Sequence, residues 1–477
     1  MRRALCCSCP DKLGHRKYRS RQTRCARAIG SANAASPVAA LIQTRTRSGR
    51  PTDLASPRLR SPTLIGSPER IIKPLEFRPD TPAFLADPFP IYRRLQDEDP
   101  VHWSPRLKSW VLTRYDDVKR VCLDRDMSSN RLEPFFATLP GPEAARIGEI
   151  IRFLSIWMVF RDPPDHTRLR RLTSKVFHVK SMHAMRPAIE QILALLLDRI
   201  GARTDVDFIQ DFAGPLPALV IMEMLGVPHS ELDRVKRMSD EMALFIGSSR
   251  TSQEKYDVAQ AATKEMADFF RQFLNARRAE PQHDLMSELV HLRDGEDRLS
   301  EDELIATCIL LLFAGHETTT NHIANGLLSL VRFPAELRAL REDPSLAAKA
   351  VEELLRYDGP SSAQVRVVKV RHAMHDKTLQ PGDRVFMMLN AANRDPRAYD
   401  DADQLQLRRD GVPHLTFGFG LHICLGFPLA RLEGQVALPA IARHWRRIEL
   451  AAPETAPEWI NSMVFRGMQS MPLKVER

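Results

Sequence analysis

The chain has 477 residues, of which 43% are hydrophobic and 27% charged, and its formal net charge is +9. These fractions are ordinary for a globular protein and exclude a chain that is fibrous or disordered throughout. Its seven cysteines fall at no regular spacing, which excludes a disulfide framework and favours a reducing compartment, so we expect a cytoplasmic protein. The longest apolar run, residues 304–314, is too short for a membrane span, which requires about 18 apolar residues.

The positive charge is concentrated at the N-terminus. Residues 1–70 contain 15 Lys and Arg against 3 Asp and Glu, and Tyr18 is their one aromatic residue. Such a segment cannot bury enough apolar surface to order itself, so it is predicted to be a disordered basic extension. Three interpretations of this segment stay open: a basic arm that binds nucleic acid or membrane, a targeting peptide, or an upstream extension of an over-long gene model. We expect no role for nucleic acid in the main function and place the functional domain at residues 71–477.

From there the pattern is mostly helical. Apolar spacing predicts helices at residues 87–99, 116–123, 146–154, 162–177, 186–200, 230–245, 253–278 and 345–357. Ser300 and Glu303 form a capping box before the apolar run, which predicts a long helix that ends near Arg332, before Pro334. Strand patterns are short and occur at residues 110–113, 364–370 and 384–389. The predicted fold class is mainly α with minor β-sheets.

The most distinctive motif is a glycine-rich loop, residues 417–426, with the sequence FGFGLHICLG. Its glycines permit backbone angles that other residues avoid, and they let amide N–H groups approach the sulfur of Cys424. Such donors stabilise a thiolate and tune a bound metal. One cysteine does not suit an iron–sulfur cluster, which needs about four thiolates, but it suits an axial metal ligand. The alternative is a buried structural cysteine.

This loop resembles the haem-binding signature of cytochrome P450s, F-x-x-G-x-H-x-C-x-G, and the resemblance extends over residues 75–477. It implies the cytochrome P450 fold, in which a long central helix crosses a buried haem. It also implies a haem b cofactor, with Cys424 as the proximal iron ligand and His422 near a haem propionate.

A second segment, residues 314–319, has the sequence AGHETT and resembles the family's A-G-x-[DE]-T-T on the central helix. By that resemblance Glu317 and Thr318 are catalytic, because reduction of dioxygen requires protons from groups within hydrogen-bond reach. Gly315 is expected to let the helix widen. On its own, such a polar run would usually be a solvated helix face.

The segment at residues 162–171 resembles the family's C-helix, with Pro163 and Pro164 expected in the first helical turn. His166 and Arg170 then lie at i and i+4 on one face, where they can bind a haem propionate. Arg366 occupies the position of another propionate arginine in the family. An ordinary basic helix face is the alternative for His166 and Arg170.

Arg161, Arg168 and Arg171 are expected to point outward as a positive patch for an acidic electron donor. The chain contains no nucleotide-binding G-x-G-x-x-G after a strand and no cysteine set for an iron–sulfur cluster. By resemblance, its electrons therefore come from a ferredoxin and a ferredoxin reductase.

Glu353 and Arg356 match the family's E-x-x-R, and Arg409 is the expected third member of a buried charged network that supports the cysteine loop. These residues are predicted to be structural rather than catalytic.

Together these features indicate a monooxygenase that inserts one oxygen atom of O2 into an apolar small molecule of terpenoid, fatty-acyl or polyketide type. The alternatives are a peroxide-driven peroxygenase and a non-catalytic haem-binding sensor or partner protein. The expected selectivity residues lie within residues 130–159 and 242–246 and near Val365, and include Phe135, Phe136, Leu154 and Trp157.

Overall fold

Helices dominate the computed structural model, which describes residues 75–246, 253–454 and 457–477. The predicted disorder of residues 1–70 lies outside the described residues. The helices are α1 (Pro82–Ala86), α2 (Phe89–Glu98), α3 (Tyr115–Leu123), α4 (Leu132–Phe136), α5 (Gly141–Arg146), α6 (Gly148–Leu154), α7 (Asp165–Val176), α8 (Val179–Ala184), α9 (Arg186–Ile200), α10 (Pro215–Leu225), α11 (Leu232–Ile246), α12 (Gln253–Ala279), α13 (Leu285–His291), α14 (Glu301–Arg332), α15 (Pro334–Glu342), α16 (Ala347–Tyr357), α17 (Leu389–Ala392) and α18 (Phe427–His444).

The strands are short and form three small sheets. They are β1 (Val101–Ser104), β2 (Ser109–Leu112), β3 (Met127–Ser128), β4 (Asp205–Asp207), β5 (Ala363–Val368), β6 (His372–Met374), β7 (Lys377–Leu379), β8 (Arg384–Met388), β9 (Arg447–Leu450) and β10 (Pro472–Glu476). The five-stranded sheet has the order β1-β2-β8-β5-β3, in which β2 and β8 are parallel. A second sheet has the order β4-β10-β9, and β6 pairs with β7. The predicted fold class, mainly α with minor sheets, is confirmed.

The long helix α14 lies at the centre of the helical layer, because almost every side chain along it is buried. Its first turn is fixed by the predicted capping box: the Glu303 amide donates to Ser300 Oγ at 3.3 Å, and the Ser300 amide donates to Glu303 Oε2 at 2.8 Å. It packs against α10, α12, α16 and α18. The helix ends at Arg332, as predicted from Pro334.

One local expectation is wrong. Helix α7 begins at Asp165, so Pro163 and Pro164 precede the helix instead of forming its first turn. Helix α14 continues without a break through Gly315, and the widening expected there stays a prediction. A Cβ atom at Gly315 would lie 3.4 Å from the Ile221 side chain of α10, which is an ordinary van der Waals distance.

Helix α10 is buried along nearly its whole length, and the sequence patterns did not predict it. It is apolar on all sides and therefore has no amphipathic period to detect. Among the helices that the structure describes, none is both long and apolar enough to cross a membrane.

Candidate functional site

The cysteine loop follows the sheet region and leads directly into α18. Gly418 and Gly420 both have φ of +71°, a conformation that other residues rarely adopt. A Cβ atom at Gly420 would also lie 3.1 Å from the carbonyl oxygen of Cys122 in α3. The loop is closed by a hydrogen bond of 2.9 Å from the Cys424 amide to the Phe417 carbonyl. The glycines therefore fix where the thiol lies.

The Cys424 thiol is half-buried and lies among positive dipoles. Burial raises its pKa, while the amide N–H groups of Gly426 and Phe427 and the charge of Arg170 act in the opposite direction. Those amide groups are the donors that the glycine pattern predicted. They favour the thiolate, which is the form that binds a metal.

Three separate elements bring basic groups together beside this loop. His166 and Arg170 lie on α7, Arg366 lies on β5, and His422 lies in the short 3₁₀ turn Gly420–His422. The rings of His166 and His422 have centroids 4.1 Å apart, and Arg170 Nη1 donates to the Ile423 carbonyl at 2.7 Å. The structure thus brings together residues from three segments that are more than 50 residues apart in the sequence.

Burial dominates the electrostatics of this cluster. Burial and then the Arg170 charge lower the pKa of His166 to about 4. Burial and then the His166 ring lower the pKa of His422 to about 3. Arg366 is 6% exposed, and burial lowers its pKa also. The nearby carboxylate of Asp162 accepts hydrogen bonds from Ser128 and Ser129.

These residues fit the haem that the resemblance implies. His166 Nδ1 is buried and has no hydrogen-bond partner among the described residues. Ala314 is exposed and Gly315, Glu317 and Thr318 are half-buried, although residues 304–313 before them are all buried, so this part of α14 borders open space. A buried cationic cluster needs anionic partners to offset its desolvation. A planar cofactor with two propionates would fill the open space and would supply the negative charge.

The predicted acid–alcohol pair lies on α14 next to that exposed alanine. Thr318 Oγ1 donates to the Ala314 carbonyl at 2.7 Å, and Asn321 Nδ2 donates to Glu317 Oε1 at 3.1 Å. Burial raises the pKa of Glu317, and the charge of Asp240 acts in the same direction. A carboxyl group whose pKa lies closer to neutrality both accepts and releases protons more readily.

The predicted support network is confirmed. Glu353 is 3% exposed and binds Arg356 at 2.7 Å and Arg409 at 3.1 Å. Arg356 also donates to the carbonyl oxygens of Asn393 and Ala402. The network joins α16 to the segment that precedes the cysteine loop, so its role is structural.

The predicted positive patch is wrong, because its arginines are paired within the chain. Arg168 binds Glu303 at 2.7 Å and Asp297 at 3.1 Å. Arg171 binds Asp297 at 2.9 Å and also pairs with Asp294. Arg161, the third member, pairs with Glu133 and Asp165. The sequence could not reveal these partners, which lie up to about 130 residues away.

A cavity of about 630 Å³ lies between the sheet, the α4 region and α11. Of the expected selectivity residues, Phe135, Leu154 and Val365 line it, as does Phe245 from the predicted 242–246 segment. Phe136 and Trp157 are instead buried in the core, where the Trp157 ring stacks on Phe160. Arg131, which lies within the predicted 130–159 segment but was not named, also lines the cavity. Sequence reasoning missed Phe386 and Met463, which lie in no recognisable motif.

The comparisons with known proteins identify the family. The sequence model of the family described as cytochrome P450 matches residues 101–466. The polyketide biosynthesis cytochrome P450 PksS of Bacillus subtilis (strain 168) is 34% identical over 417 residues, which cover 84% of this chain and 99% of that protein. The 6-deoxyerythronolide B hydroxylase of Saccharopolyspora erythraea is 34% identical over 406 residues, which cover 83% of this chain and 98% of the hydroxylase.

Solved structures give the same result. The crystal structure of P450BioI in complex with an acyl carrier protein ligated with hexadec-9Z-enoic acid superposes with a TM-score of 0.77 at 31% identity. The superposition covers 83% of this chain and 99% of P450BioI. Sequence, fold and cysteine loop agree, and the chain therefore belongs to the cytochrome P450 family of haem monooxygenases.

Proposed function

We propose that this monooxygenase inserts one oxygen atom of O2 into a fatty-acyl or polyketide-like substrate, using a haem b ligated by Cys424 and electrons from a ferredoxin system. The observation that carries the proposal is the half-buried thiol, surrounded by amide donors, beside a buried cationic cluster. When bound, the haem activates dioxygen, so that one oxygen atom enters a C–H bond and the other leaves as water, with the uptake of two electrons and two protons.

The cluster holds the cofactor's carboxylates in this proposal. Arg170 and Arg366 supply forked guanidinium donors, and His166 and His422 supply ring N–H groups. His166 Nδ1 has no partner within the described residues and is therefore free to take that role.

Proton supply is assigned to Glu317 and Thr318. The Thr318 hydroxyl donates its hydrogen bond to the Ala314 carbonyl. Its oxygen lone pairs therefore remain able to accept a hydrogen bond from a proton donor. Glu317, whose pKa is raised by burial, supplies the proton. The positions of the two groups on one turn of α14 keep them within reach of the same small region.

Electrons are proposed to arrive from a ferredoxin, itself reduced by a ferredoxin reductase, at the surface formed by the cysteine loop and α3. Leu123 and Leu421 are exposed there, and Arg120 is an exposed cation on the same helix. Lys119 Nζ lies 5.0 Å from the Phe419 ring of the loop. Apolar side chains with flanking positive charge suit an acidic electron carrier.

The cavity and the relatives support the proposed substrate class. Its volume lies within the usual range for small-molecule sites, and aromatic and aliphatic side chains form much of its wall. The names of the relatives refer to polyketide biosynthesis and to a fatty-acyl group on a carrier protein. The names of these relatives do not refer to a terpenoid, the third substrate type expected from the sequence. The cytoplasmic location expected from the sequence stays a prediction.

The test is turnover under ¹⁸O2 with a ferredoxin, its reductase and a panel of fatty acids and macrolactones. The proposal predicts a haem spin-state shift with at least one compound and a product that contains one ¹⁸O atom. If hydrogen peroxide alone gives product, and the ferredoxin and its reductase do not increase the yield, the result would favour a peroxygenase. Absence of both dioxygen binding and any spin shift would favour a sensor.

A further inference from the structure

Arg131 lies on the wall of the 630 Å³ cavity, at the turn between β3 and α4. The Arg131 amide donates to the Ser129 carbonyl at 2.9 Å, and the Ser129 amide donates to Asp162 at 2.9 Å. Strand β3 is held by pairing with β5, where Ser128 faces Val367. Hydrogen bonds therefore fix the backbone that leads into Arg131.

The Arg131 side chain is half-buried and turned toward the cavity. Its guanidinium carbon lies 4.7 Å from the centroid of the Phe160 ring, which also lines the cavity. Burial, followed by the charge of Arg366, lowers the pKa of Arg131 to about 10. A guanidinium over an aromatic face is attracted to it, but that attraction is too small to replace a counter-ion.

No carboxylate within the described residues pairs with Arg131, and both Glu133, its neighbour in sequence, and the more distant Asp162 have other partners. Glu133 binds Asn130 and Arg161, and Asp162 binds the two serines of β3 and its turn. Of the cavity-lining residues that the structure describes, five are Lys or Arg and one, Asp80, is acidic; Asp80 pairs with Arg106. A desolvated cation in such surroundings requires an anion.

We propose that Arg131 binds the carboxylate of the substrate, so that the substrate is a long-chain acid with a free anionic end. The inference rests on the proposed function, because it assigns the substrate of the same site. The apolar tail would lie against Leu132, Phe135, Leu154 and Val365, while the guanidinium fork would bind both carboxylate oxygens. The excess of positive charge around the cavity would also attract an acid in preference to a neutral lactone.

A carboxylate could also come from the cofactor, and the experiment separates these two sources. Hexadec-9Z-enoic acid and hexadec-9Z-en-1-ol have the same chain and differ in charge at one end. Their dissociation constants are measured on the haem-loaded protein by spin-state titration and by calorimetry, for wild type, Arg131→Gln and Arg131→Lys. Arg125→Gln is the matched control, because it removes the same charge from an exposed position.

The expected result is that wild type binds the acid more tightly than the alcohol. Arg131→Gln then raises the dissociation constant of the acid by about 10- to 100-fold, as expected for the loss of a hydrogen bond to a charged group. It changes the dissociation constant of the alcohol by less than about twofold. Arg131→Lys recovers part of the loss, and Arg125→Gln changes neither ligand.

Equal losses for acid and alcohol would overturn the inference. So would a fall in haem content with unchanged acid affinity per bound haem, which would assign Arg131 to the cofactor. Equal affinity of wild type for the two ligands, or binding of neither, would also overturn it without any variant. In each of these cases ¹⁸O incorporation into another substrate would leave the proposed function intact, whereas its absence with every substrate would remove that function separately.

Discussion

Two glycines of the cysteine loop should respond in opposite ways to the same substitution. Gly420 has φ of +71°, and a Cβ atom there would lie 3.0 Å from Leu123 Cδ2 and 3.1 Å from the Cys122 carbonyl oxygen. The exposed Leu123 side chain can move away, but the backbone oxygen of a packed helix cannot. Gly426 has φ of −84°, and the nearest atoms to its added Cβ lie 3.9 Å away.

The magnitude follows from these values. A residue other than glycine costs about 1–2 kcal/mol in the left-handed region, and the close carbonyl contact adds to that. Gly420→Ala should therefore lower the free energy of unfolding by about 2 kcal/mol and reduce haem content, because the loop that carries Cys424 shifts. Gly426→Ala should change the free energy of unfolding by less than about 0.5 kcal/mol, or raise it slightly, because alanine restricts the unfolded chain.

The assay is urea unfolding of both variants beside wild type, followed by measurement of bound haem per chain. A midpoint for Gly420→Ala equal to that of Gly426→Ala would refute the argument from backbone angle. Equal haem loss in both variants would refute the argument that Gly420, rather than loop flexibility in general, fixes the thiol.

Three further predictions concern other parts of the molecule. Thr318→Ala should lower product formed per reduced cofactor consumed and raise hydrogen peroxide, since a positioned proton-transfer group contributes roughly 10²–10⁴-fold; Thr318→Ser should retain coupling. Unchanged coupling in Thr318→Ala would remove its assigned role. Glu353→Gln should lower the free energy of unfolding by about 3–5 kcal/mol, measured by urea, because two guanidiniums lose their counter-charge; a loss below about 1 kcal/mol would contradict this. Deletion of residues 1–70 should leave haem content and turnover unchanged, and a loss of either would show that the extension matters.

Features with a local cause could be predicted from the sequence. Ser300 and Glu303 fixed the start of α14 because a capping box acts within one turn, and Pro334 fixed its end. The residues of the cysteine loop could also be named, because their spacing is set by one short segment. The short sheet β4-β10-β9 was missed, since β4 pairs with β10 across more than 260 residues and neither strand has a strong pattern.

Features that depend on long-range partners could not be predicted. Arg168 and Arg171 have the composition of a docking patch, but acidic residues before and within α14 pair with them. Arg131 lies within the predicted 130–159 segment, but only the fold shows that it lines the cavity and that its guanidinium lies over the Phe160 ring.

The assignment of Cys424 as the haem ligand is tested most directly by its replacement with serine. Cys424→Ser should remain folded by circular dichroism but lose the carbon monoxide absorption band of the reduced protein that characterises the family. Cys122→Ser and Cys308→Ser, which alter the other two cysteines that the structure describes, should keep that band. A Cys424→Ser protein that retains the band would contradict the haem-thiolate site on which the proposed function depends.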